Sequence, residues 1–379
     1  MWSVSADPLR FQEAAEWFRG KVPLLKGEWG QLTQEARRRA FTAAGVALLD
    51  RLALLHQSVL RALEEGTPLE EWRQEALRVL GGRWSYGHLE TIFRNNVQAA
   101  YSAGRWDQLQ DPAVRRSHPY LMYDAVLDSR TTEICRARDG VVRPADDPWW
   151  RSNWPPLHHN CRSGVRALTR AEAERRGVAR ALPSVPPQEG FGLSPAEEEW
   201  VEGYAKGQRD AARLPWAPAF AGEPPTWRSY GLPERLDPTP APGDLLPTLA
   251  EVGEARFLAL LEERLGGLPA LLVDPTGLPV LVDRGLVGHL KGDGRERFLA
   301  WLPDLVRTPQ EVWLLPLQHE RRVVFRQRYL KVYREGRDRH LVLSAEVHRG
   351  ALVALTFVES RDYAYLQNQR VGFLRWVAK

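Results

Sequence analysis

The stretch that decides the fold of the C-terminal third is residues 311–360, EVWLLPLQHERRVVFRQRYLKVYREGRDRHLVLSAEVHRGALVALTFVES. Its apolar runs are rich in the β-branched and aromatic residues of strands, and short connections separate them. Two earlier runs, LPALLVDP and PVLVDRG, have the same character, and a helix-like segment, His289 to Leu305, follows them. Because strands with short connections pair antiparallel, residues 248–379 are predicted to form an α+β domain with a mainly antiparallel sheet packed on one or two helices.

Length and composition set the limits for the rest of the chain. The 379 residues are 44% apolar and 26% charged, which suits two or three folded domains, and two cysteines exclude a disulfide scaffold. No stretch approaches the ~18 consecutive apolar residues that a membrane span needs. The first residues, MWSVSADPLRFQEAAEWFRG, lack the basic start and apolar run of a secretory signal. We therefore expect a protein that is made in a cytoplasm and is kept or packaged there.

Charge is distributed unevenly along the chain. From Arg284 to the end there are 18 basic and 10 acidic residues, which leaves 34 basic and 38 acidic residues in the remainder. A basic C-terminal third beside a mildly acidic body predicts a polyanionic partner for that third. The alternative is a solvated surface with arginine-rich faces.

Residues 1–115 are predicted to be an α-helical domain. Apolar residues recur at helical spacing from Leu32 to Leu60. Thr67 and Glu70 have the spacing of a capping box, so a second helix is expected to begin there. Ser85 to Asp111 predicts a third helix.

The middle of the chain has a different character. Residues 116–182, with extended pieces at Tyr120–Leu127 and Gly140–Val142, are predicted to be a small irregular β module of the kind that a metal or a partner surface stabilises. Residues 183–247 contain 13 of the 28 prolines and are predicted to be a semi-rigid connector with one helix, Ser194 to Ala212. Its aromatic residues could instead lie along a partner or a neighbouring domain. The predicted fold class is therefore multidomain.

Four motifs occur in order in the N-terminal half. They are Glu90-Thr91-Ile92-Phe93-Arg94-Asn95-Asn96, Asp128-Ser129-Arg130-Thr131, Asp139-Gly140 and Pro155-Pro156-Leu157-His158-His159-Asn160-Cys161-Arg162. Through them the chain resembles the Mu F-like minor head (head morphogenesis) proteins of tailed bacteriophages. The resemblance implies a head component, inside the virion and in the host cytoplasm during assembly. It also implies contact with the portal and other head proteins, and a role in head assembly and in DNA packaging or ejection.

The same region contains four candidate soft metal ligands, Cys135, His158, His159 and Cys161. Thiolate and imidazole groups suit tetrahedral zinc, so zinc is a candidate cofactor. It would stabilise a module that has only a small hydrophobic core. The alternative is a hydrogen-bonded knot in which Asp128 accepts from Arg130 or from backbone N–H groups and Cys161 is a small buried residue. A Cys135–Cys161 disulfide is a third arrangement, disfavoured in a reducing cytoplasm. A thiol hydrolase would need a base and an anion-stabilising pocket, which this turn-rich stretch does not suggest. Many Mu F-like proteins have a histidine at the position of Cys135 and a second cysteine at the position of Ser163.

The C-terminal third has the residue types of a metal-independent ribonuclease. Attack of the ribose 2′-hydroxyl on its phosphate needs a base, an acid and a cation, which histidine and arginine or lysine supply near neutral pH. Tyrosine rings could stack bases beside these cations. The candidates are His289, Arg328, Lys331, His340, His348, Thr356, Ser360 and Arg370, with Tyr329, Tyr333, Tyr363 and Tyr365 as the rings.

This segment also resembles the phage-associated nuclease-like domains of the barnase–EndoU–colicin–RelE group. The matching features are His289 before a helix, Thr308-Pro309-Gln310-Glu311-Val312-Trp313, Arg328-Tyr329-Leu330-Lys331 and Thr356-Phe357. The resemblance implies an α+β sheet with ribonuclease or toxin activity on RNA. It assigns His289, Lys331 and Thr356 to the catalytic cleft, with Ser360 and Arg370 as further members. The expected nucleic-acid contacts are Arg328, Tyr329, Arg334, His340 and His348.

Strand geometry limits which of these residues can act together. Arg328 and Lys331 lie three apart on a predicted strand, so their side chains are expected on opposite faces unless a bulge intervenes. Structural roles are the alternatives: His289 could cap or pack, and Thr356 could be an ordinary strand residue. The basic domain could also be a DNA-contacting plug without catalysis, whose binding would depend steeply on salt.

Overall fold

The computed structural model describes residues 11–81, 84–192, 215–290, 294–320, 322–348 and 351–378. Its contacts divide the chain into two compact units, residues 1–29 with 40–199 and residues 30–39 with 200–379. The helix predicted over Ser194 to Ala212 lies outside the described residues. No helix within the described ranges is both long enough and apolar enough to cross a membrane.

The first unit is mainly helical, as predicted. Its short strands β1 (Val22–Pro23) and β2 (Ala40–Phe41) pair parallel, and a three-stranded antiparallel sheet has the order β4-β3-β5. The three strands of that sheet are β3 (Tyr120–Asp124), β4 (Val142–Pro144) and β5 (Gly164–Leu168). The helices, numbered along the whole chain, are α1 (Gln12–Arg19), α2 (Lys26–Gly30), α4 (Leu49–Glu65), α5 (Leu69–Leu80), α6 (Tyr86–Gln110), α7 (Pro112–Ser117), α8 (Glu133–Arg136), α9 (Trp150–Asn153) and α10 (Arg170–Arg176).

The predicted third helix is confirmed, whereas the predicted capping box is wrong. The Ser85 side chain accepts a hydrogen bond from the His88 N–H and so begins α6. The Thr67 N–H instead donates to the Ala62 carbonyl, beside Gly66, which has a φ of 76° and ends α4. Thr67 therefore completes the preceding helix, and α5 begins after Pro68 with no side-chain cap.

The helical pattern from Leu32 to Leu60 is confirmed only from Leu49 onwards. Residues 40–41 are β2, and Gly45 has a φ of 83°, which a helix cannot contain. Residues 30–39 belong to the second unit. Apolar periodicity reports which positions are buried, and here several short elements bury their residues at a spacing that resembles one helix.

The second unit is built on a large sheet, which contains the six predicted strands, two from the earlier apolar runs and four from the runs within residues 311–360. The described sheet has nine strands in the order β14-β10-β11-β12-β13-β9-β8, with β6 on β10 and β7 on β11. Neighbouring strands pair antiparallel except β13 with β9 and β11 with β7. The strands are β6 (Ala217–Pro218), β7 (Thr239–Pro240), β8 (Ala270–Val273), β9 (Pro279–Val282), β10 (Glu311–His319), β11 (Arg322–Glu335), β12 (Arg337–His348), β13 (Ala351–Ser360) and β14 (Phe373–Val377).

Helices and 3-10 turns cover parts of this sheet. The segment predicted as one helix from His289 to Leu305 is broken into the end of one helix, a 3-10 helix at Arg295–Trp301 and the start of another helix. A second 3-10 helix is Trp227–Tyr230. The helices are α3 (Gln34–Arg38), α11 (Leu249–Val252), α12 (Glu254–Leu265), α13 (Arg284–His289), α14 (Leu302–Arg307) and α15 (Tyr363–Gln369).

The central strands have two buried faces with different neighbours. One face, which we call the inner face, carries Tyr329, Leu341, Leu343 and Phe357. These side chains pack in a core with residues of α12, α13 and α14. The outer face carries Trp313, Leu330, Val332 and Val342, which pack with Leu366 of α15 and with Trp227, Leu232 and Leu236. Side chains alternate between these faces along each strand.

The described part of the proline-rich connector lies along the sheet of the second unit. Ala217–Pro218 pairs with β10 and Thr239–Pro240 pairs with β11. The Thr239 hydroxyl donates to the Val332 carbonyl over 3.0 Å. Proline lacks an N–H group, so such segments add only two-residue strands.

Candidate functional site

Two groups of polar residues could carry chemistry, one in each unit. The first lies where α8 meets the turn that precedes β5. The Cys135 Sγ is 3.2 Å from the His158 Nε2 and 3.7 Å from the Cys161 Sγ. Together these are three possible ligand atoms within 4.8 Å of one another.

His159 is the fourth predicted ligand, and the structure does not bring it into this group. Its Nδ1 lies 2.8 Å from the Asn95 side-chain nitrogen, and its ring packs edge-on against Phe191. His158 is held instead by the His159 carbonyl, 2.7 Å from its Nδ1. An Nδ1–H that donates to this carbonyl leaves the His158 Nε2 lone pair directed at the thiols.

The two thiols are buried and differ in proton affinity. Cys135 and Cys161 are 2% and 3% exposed, and both are free. The hydrogen bond from Cys135, helped by backbone hydrogen bonds at Leu157 and Ser163, lowers the pKa of Cys161 to about 6 against the effect of burial. The same bond, and then burial, raises the pKa of Cys135 to about 12. Cys161 is thus the thiol that ionises first.

The hydrogen-bonded knot predicted around Asp128 is confirmed beside this group. The Arg130 N–H donates to Asp128 Oδ1 over 2.9 Å. Arg162 adds a two-pronged ion pair to the same carboxylate, at 2.7 and 2.6 Å, which the sequence did not indicate. These hydrogen bonds, from Arg162 first, hold the pKa of Asp128 well below its usual range. The knot and the Cys–His group therefore coexist.

The second group lies on the sheet of the second unit, and Lys331 is on its inner face. The Lys331 Nζ donates to Asp304 Oδ2 and to the Thr308 hydroxyl, each over 2.8 Å, and the residue is 7% exposed. The Tyr333 hydroxyl also donates to Asp304, over 2.7 Å. Burial raises the pKa of Asp304, but these hydrogen bonds outweigh it and the pKa is lowered. The charge of Lys331 is thus compensated within the fold.

Arg328 lies on the outer face, opposite to Lys331, as predicted. Its cross-strand neighbours are Ser344 on β12 and, beyond that, Thr356 on β13. Its Nη1 donates to the Gln369 carbonyl over 3.1 Å. Among the residues that the structure describes, no carboxylate pairs with this guanidinium, and burial lowers its pKa to about 10. Arg328 is therefore a partly dehydrated cation that meets no counter-charge in the described part of the chain.

Ser344 and Thr356 continue the row of Arg328 on this face, and Tyr365 lies within its electrostatic reach. Thr356 is exposed, and Ser344 and Tyr365 are half-buried. Burial raises the pKa of Tyr365, while the charges of Arg328 and Arg295 oppose that shift, so both cations lie within electrostatic reach of its hydroxyl. A register shift between β12 and β13 lies next to Thr356, and bulges of this kind often re-aim side chains near functional sites.

Arg370 occupies a third environment. It and Glu311 are each 0% exposed, and their two parallel contacts measure 2.8 and 2.6 Å. Its remaining hydrogen bonds go to the carbonyls of Pro233 and Glu234, over 2.8 Å each. The Arg370 guanidinium therefore links β10 to residues 233–234 of the connector.

The other predicted nucleic-acid residues and Ser360 are spread over the unit. Tyr329 is fully buried and donates to Asp274 over 2.8 Å, His340 is buried against the ring of Tyr363, and Arg334 is exposed. The Ser360 hydroxyl accepts from the Asp362 N–H. The backbone of residues 289 and 348 ends α13 and β12, while the side chains of His289 and His348 lie outside what the structure describes.

The sheet thus brings Arg328 and Thr356 together and keeps Lys331 apart from both. Tyr365 was among the predicted rings, whereas sequence reasoning missed Ser344, the cross-strand neighbour of Arg328, and Arg295, which acts with Arg328 on Tyr365. Alternation along β11 assigned the faces, but only the pairing register shows which residues share a row across three strands.

Comparison with known proteins finds two families in the chain. Residues 54–166, from α4 to β5, match the family model described as phage Mu protein F like protein. Residues 256–377, from α12 to the end of β14, match phage-Barnase-EndoU-ColicinE5/D-RelE like nuclease2. No solved structure matches the chain.

Two curated relatives match the N-terminal part. The putative capsid assembly protein F of Escherichia phage Mu is 32% identical over 187 residues, which are 44% of this chain and 42% of that protein. The Mu-like prophage FluMu F protein of Haemophilus influenzae is 31% identical over 166 residues, 40% of each chain. The chain thus spans less than half the length of these relatives. It combines a phage Mu F-like domain with a C-terminal nuclease-like domain of the barnase–EndoU–colicin–RelE group.

Proposed function

We propose that this chain is a minor head protein of a tailed phage. It would act at the portal region in head assembly and in DNA packaging or ejection, with the portal and other head proteins as partners. The support is the match of residues 54–166 and the likeness to a putative capsid assembly protein over 44% of the chain. The proposed location is the virion, and the host cytoplasm during assembly.

The test of this role is the protein content of purified particles. Gradient-purified heads are treated with protease before mass spectrometry, and the chain is expected to survive inside them while surface proteins are digested. Chemical crosslinking of the same particles should join the chain to the portal protein. Absence of the chain from intact heads would refute the structural role.

We propose further that the C-terminal domain is a metal-independent ribonuclease with its cleft on the outer face of the sheet. The observation that carries this is Arg328, a partly dehydrated cation with no carboxylate partner among the described residues, in one row with two hydroxyl groups. Such a cation stabilises charge that develops on a phosphate. Lys331 and Arg370 are compensated by Asp304 and Glu311 and would hold the sheet in shape.

In this proposal His289 supplies the proton transfers. The family resemblance assigns it this role, and it ends α13, a helix of the inner-face core that contacts β13, the strand that carries Thr356. A base removes the proton of the 2′-hydroxyl, the 2′-oxygen bonds to phosphorus, and the bond to the 5′-oxygen breaks as that oxygen takes a proton. The products are a cyclic phosphate and a free 5′-hydroxyl. Thr356 would hydrogen-bond a phosphate oxygen.

The test uses the full chain, RNA and a chelator. Replacing Arg328 by Gln or His289 by Ala is expected to lower the cleavage rate by about 10²–10³-fold. The matched control is Arg337→Gln, which removes an exposed cation from the neighbouring strand β12 and should leave the rate nearly unchanged. Cleavage that is equal in all three variants would exclude this cleft.

A non-catalytic DNA plug is the second candidate, favoured by the basic balance of the C-terminal third. Binding to duplex DNA that falls steeply with salt, without cleavage of RNA, would support the plug instead. A ribonuclease delivered as a toxin would show the same cleavage in vitro and would differ by its effect on recipient cells.

A further inference from the structure

The Cys–His group of the first unit has features that a hydrogen-bonded knot alone does not require. Its three members come from two separate segments, Cys135 from α8 and His158 with Cys161 from the turn before β5. All three point their side-chain heteroatoms at one place, and two of them are almost completely buried. A cluster of soft donors around one point is the arrangement that a soft or borderline metal ion selects.

The distances agree with tetrahedral zinc. With Zn–S bonds of about 2.3 Å, two thiolates on one zinc ion lie roughly 3.8 Å apart. The two sulfur atoms here are 3.7 Å apart, well beyond the ~2.05 Å of a disulfide bond. The Cys135 Sγ and His158 Nε2, at 3.2 Å, need to separate by only a few tenths of an ångström to share a zinc ion.

The surroundings prepare each donor for a metal. The His158 Nδ1 faces the His159 carbonyl at 2.7 Å, which is the outer contact that metal-binding histidines usually have. Backbone groups at Leu157 and Ser163 hydrogen-bond the Cys161 sulfur. The buried Ser163 hydroxyl contacts both thiols. Outer-shell hydrogen bonds of this kind fix the orientation of metal ligands.

We propose that Cys135, His158 and Cys161 bind one zinc ion, with a solvent oxygen as the fourth ligand. Solvent would enter beside His158, the half-buried member, because the two cysteines are almost completely buried. Binding releases the thiol protons and joins α8 to the turn before β5. The ion fastens a module whose own sheet has only three short strands.

The experiment measures zinc in the full chain purified under reducing conditions. Wild type is expected to hold stoichiometric zinc by elemental analysis, and so is His159→Gln, the matched control that removes the neighbouring histidine outside the group. Cys161→Ser and His158→Asn should lose most of the bound zinc. Cobalt should replace the ion and show the absorption of a tetrahedral thiolate site in wild type and the control.

A second measurement keeps the proposal testable if a variant fails to fold. Wild-type protein is stripped with a chelator, and zinc is then returned to it. The melting temperature should fall on removal and recover on return, since a ligand that binds the native state stabilises it. Wild type without zinc and without any such shift would overturn the proposal, and so would equal zinc in all variants or a Cys135–Cys161 disulfide.

Discussion

Arg328 and Lys331 are two basic residues on one strand, three positions apart, and they have opposite environments. Lys331 is compensated by Asp304 and Thr308 on the inner face, whereas Arg328 on the outer face has only the Gln369 carbonyl as its hydrogen-bond partner among the described residues. A buried cation stabilises a fold only when its charge is paired. The difference suggests that Lys331 serves stability and that Arg328 is kept for binding an anion.

Arg370 is the extreme case of a compensated cation and should show the largest effect on stability. Arg370→Ala leaves Glu311 buried without its partner, which is expected to cost about 3–5 kcal/mol. Hydrogen exchange of β10 and β11 amides would measure the loss in the second unit. Arg334→Ala, at an exposed position, is the control and should stay within about 0.5 kcal/mol.

An Arg370 variant that keeps full stability would contradict the comparison. It would mean that the buried pair adds nothing to the fold, and that Arg370 is free for the catalytic role that the family resemblance assigns to it.

Lys331→Met should produce a smaller loss of stability. It removes the partner of Asp304, which can rehydrate because its side chain is 32% exposed, so we expect about 1–2 kcal/mol. The RNA cleavage rate at a temperature where the variant is folded should remain within a few-fold of wild type. A rate lowered about 10²-fold would instead make Lys331 the cation of the reaction.

Acid should weaken the Lys331 side of the comparison first. The folded pKa of Asp304 is lowered, so its contribution to stability is complete above its unfolded pKa of about 3.9 and is lost as pH falls through the folded pKa. The difference in unfolding free energy between wild type and Asp304→Asn should therefore shrink on acidification below about pH 4. A difference that is constant with pH would show that the pair is not charged.

The sequence was sufficient to predict the strands that carry these residues, but it was insufficient to predict which side chains they contact. Six strands were predicted from apolar runs, and alternation placed Arg328 and Lys331 on opposite faces. Strand β14 and helix α15, which complete the outer face, were missed because FLRWV and YAYLQNQ are short and mixed in polarity.

The candidate site depends on contacts between distant segments, which local patterns do not contain. Lys331 meets Asp304, and Arg370 meets Glu311, only because the sheet brings separate segments together. In the first unit, the sequence alone predicted four soft metal ligands. The fold selects three of them by turning His159 towards Asn95.

The smallest effect, and the sharpest test of the comparison, is the stability of an Arg328 variant. Burying a cation without a counter-charge is unfavourable, so Arg328→Met should leave stability unchanged or raise it by up to about 1 kcal/mol. A functional residue that lowers stability is expected where a site is kept ready for a ligand. Hydrogen exchange of β11 and β12 amides, compared with Lys331→Met, would measure the sign. If Arg328→Met and Lys331→Met destabilise the sheet equally, Arg328 is a structural residue. The proposal that the outer face binds phosphate would then be refuted.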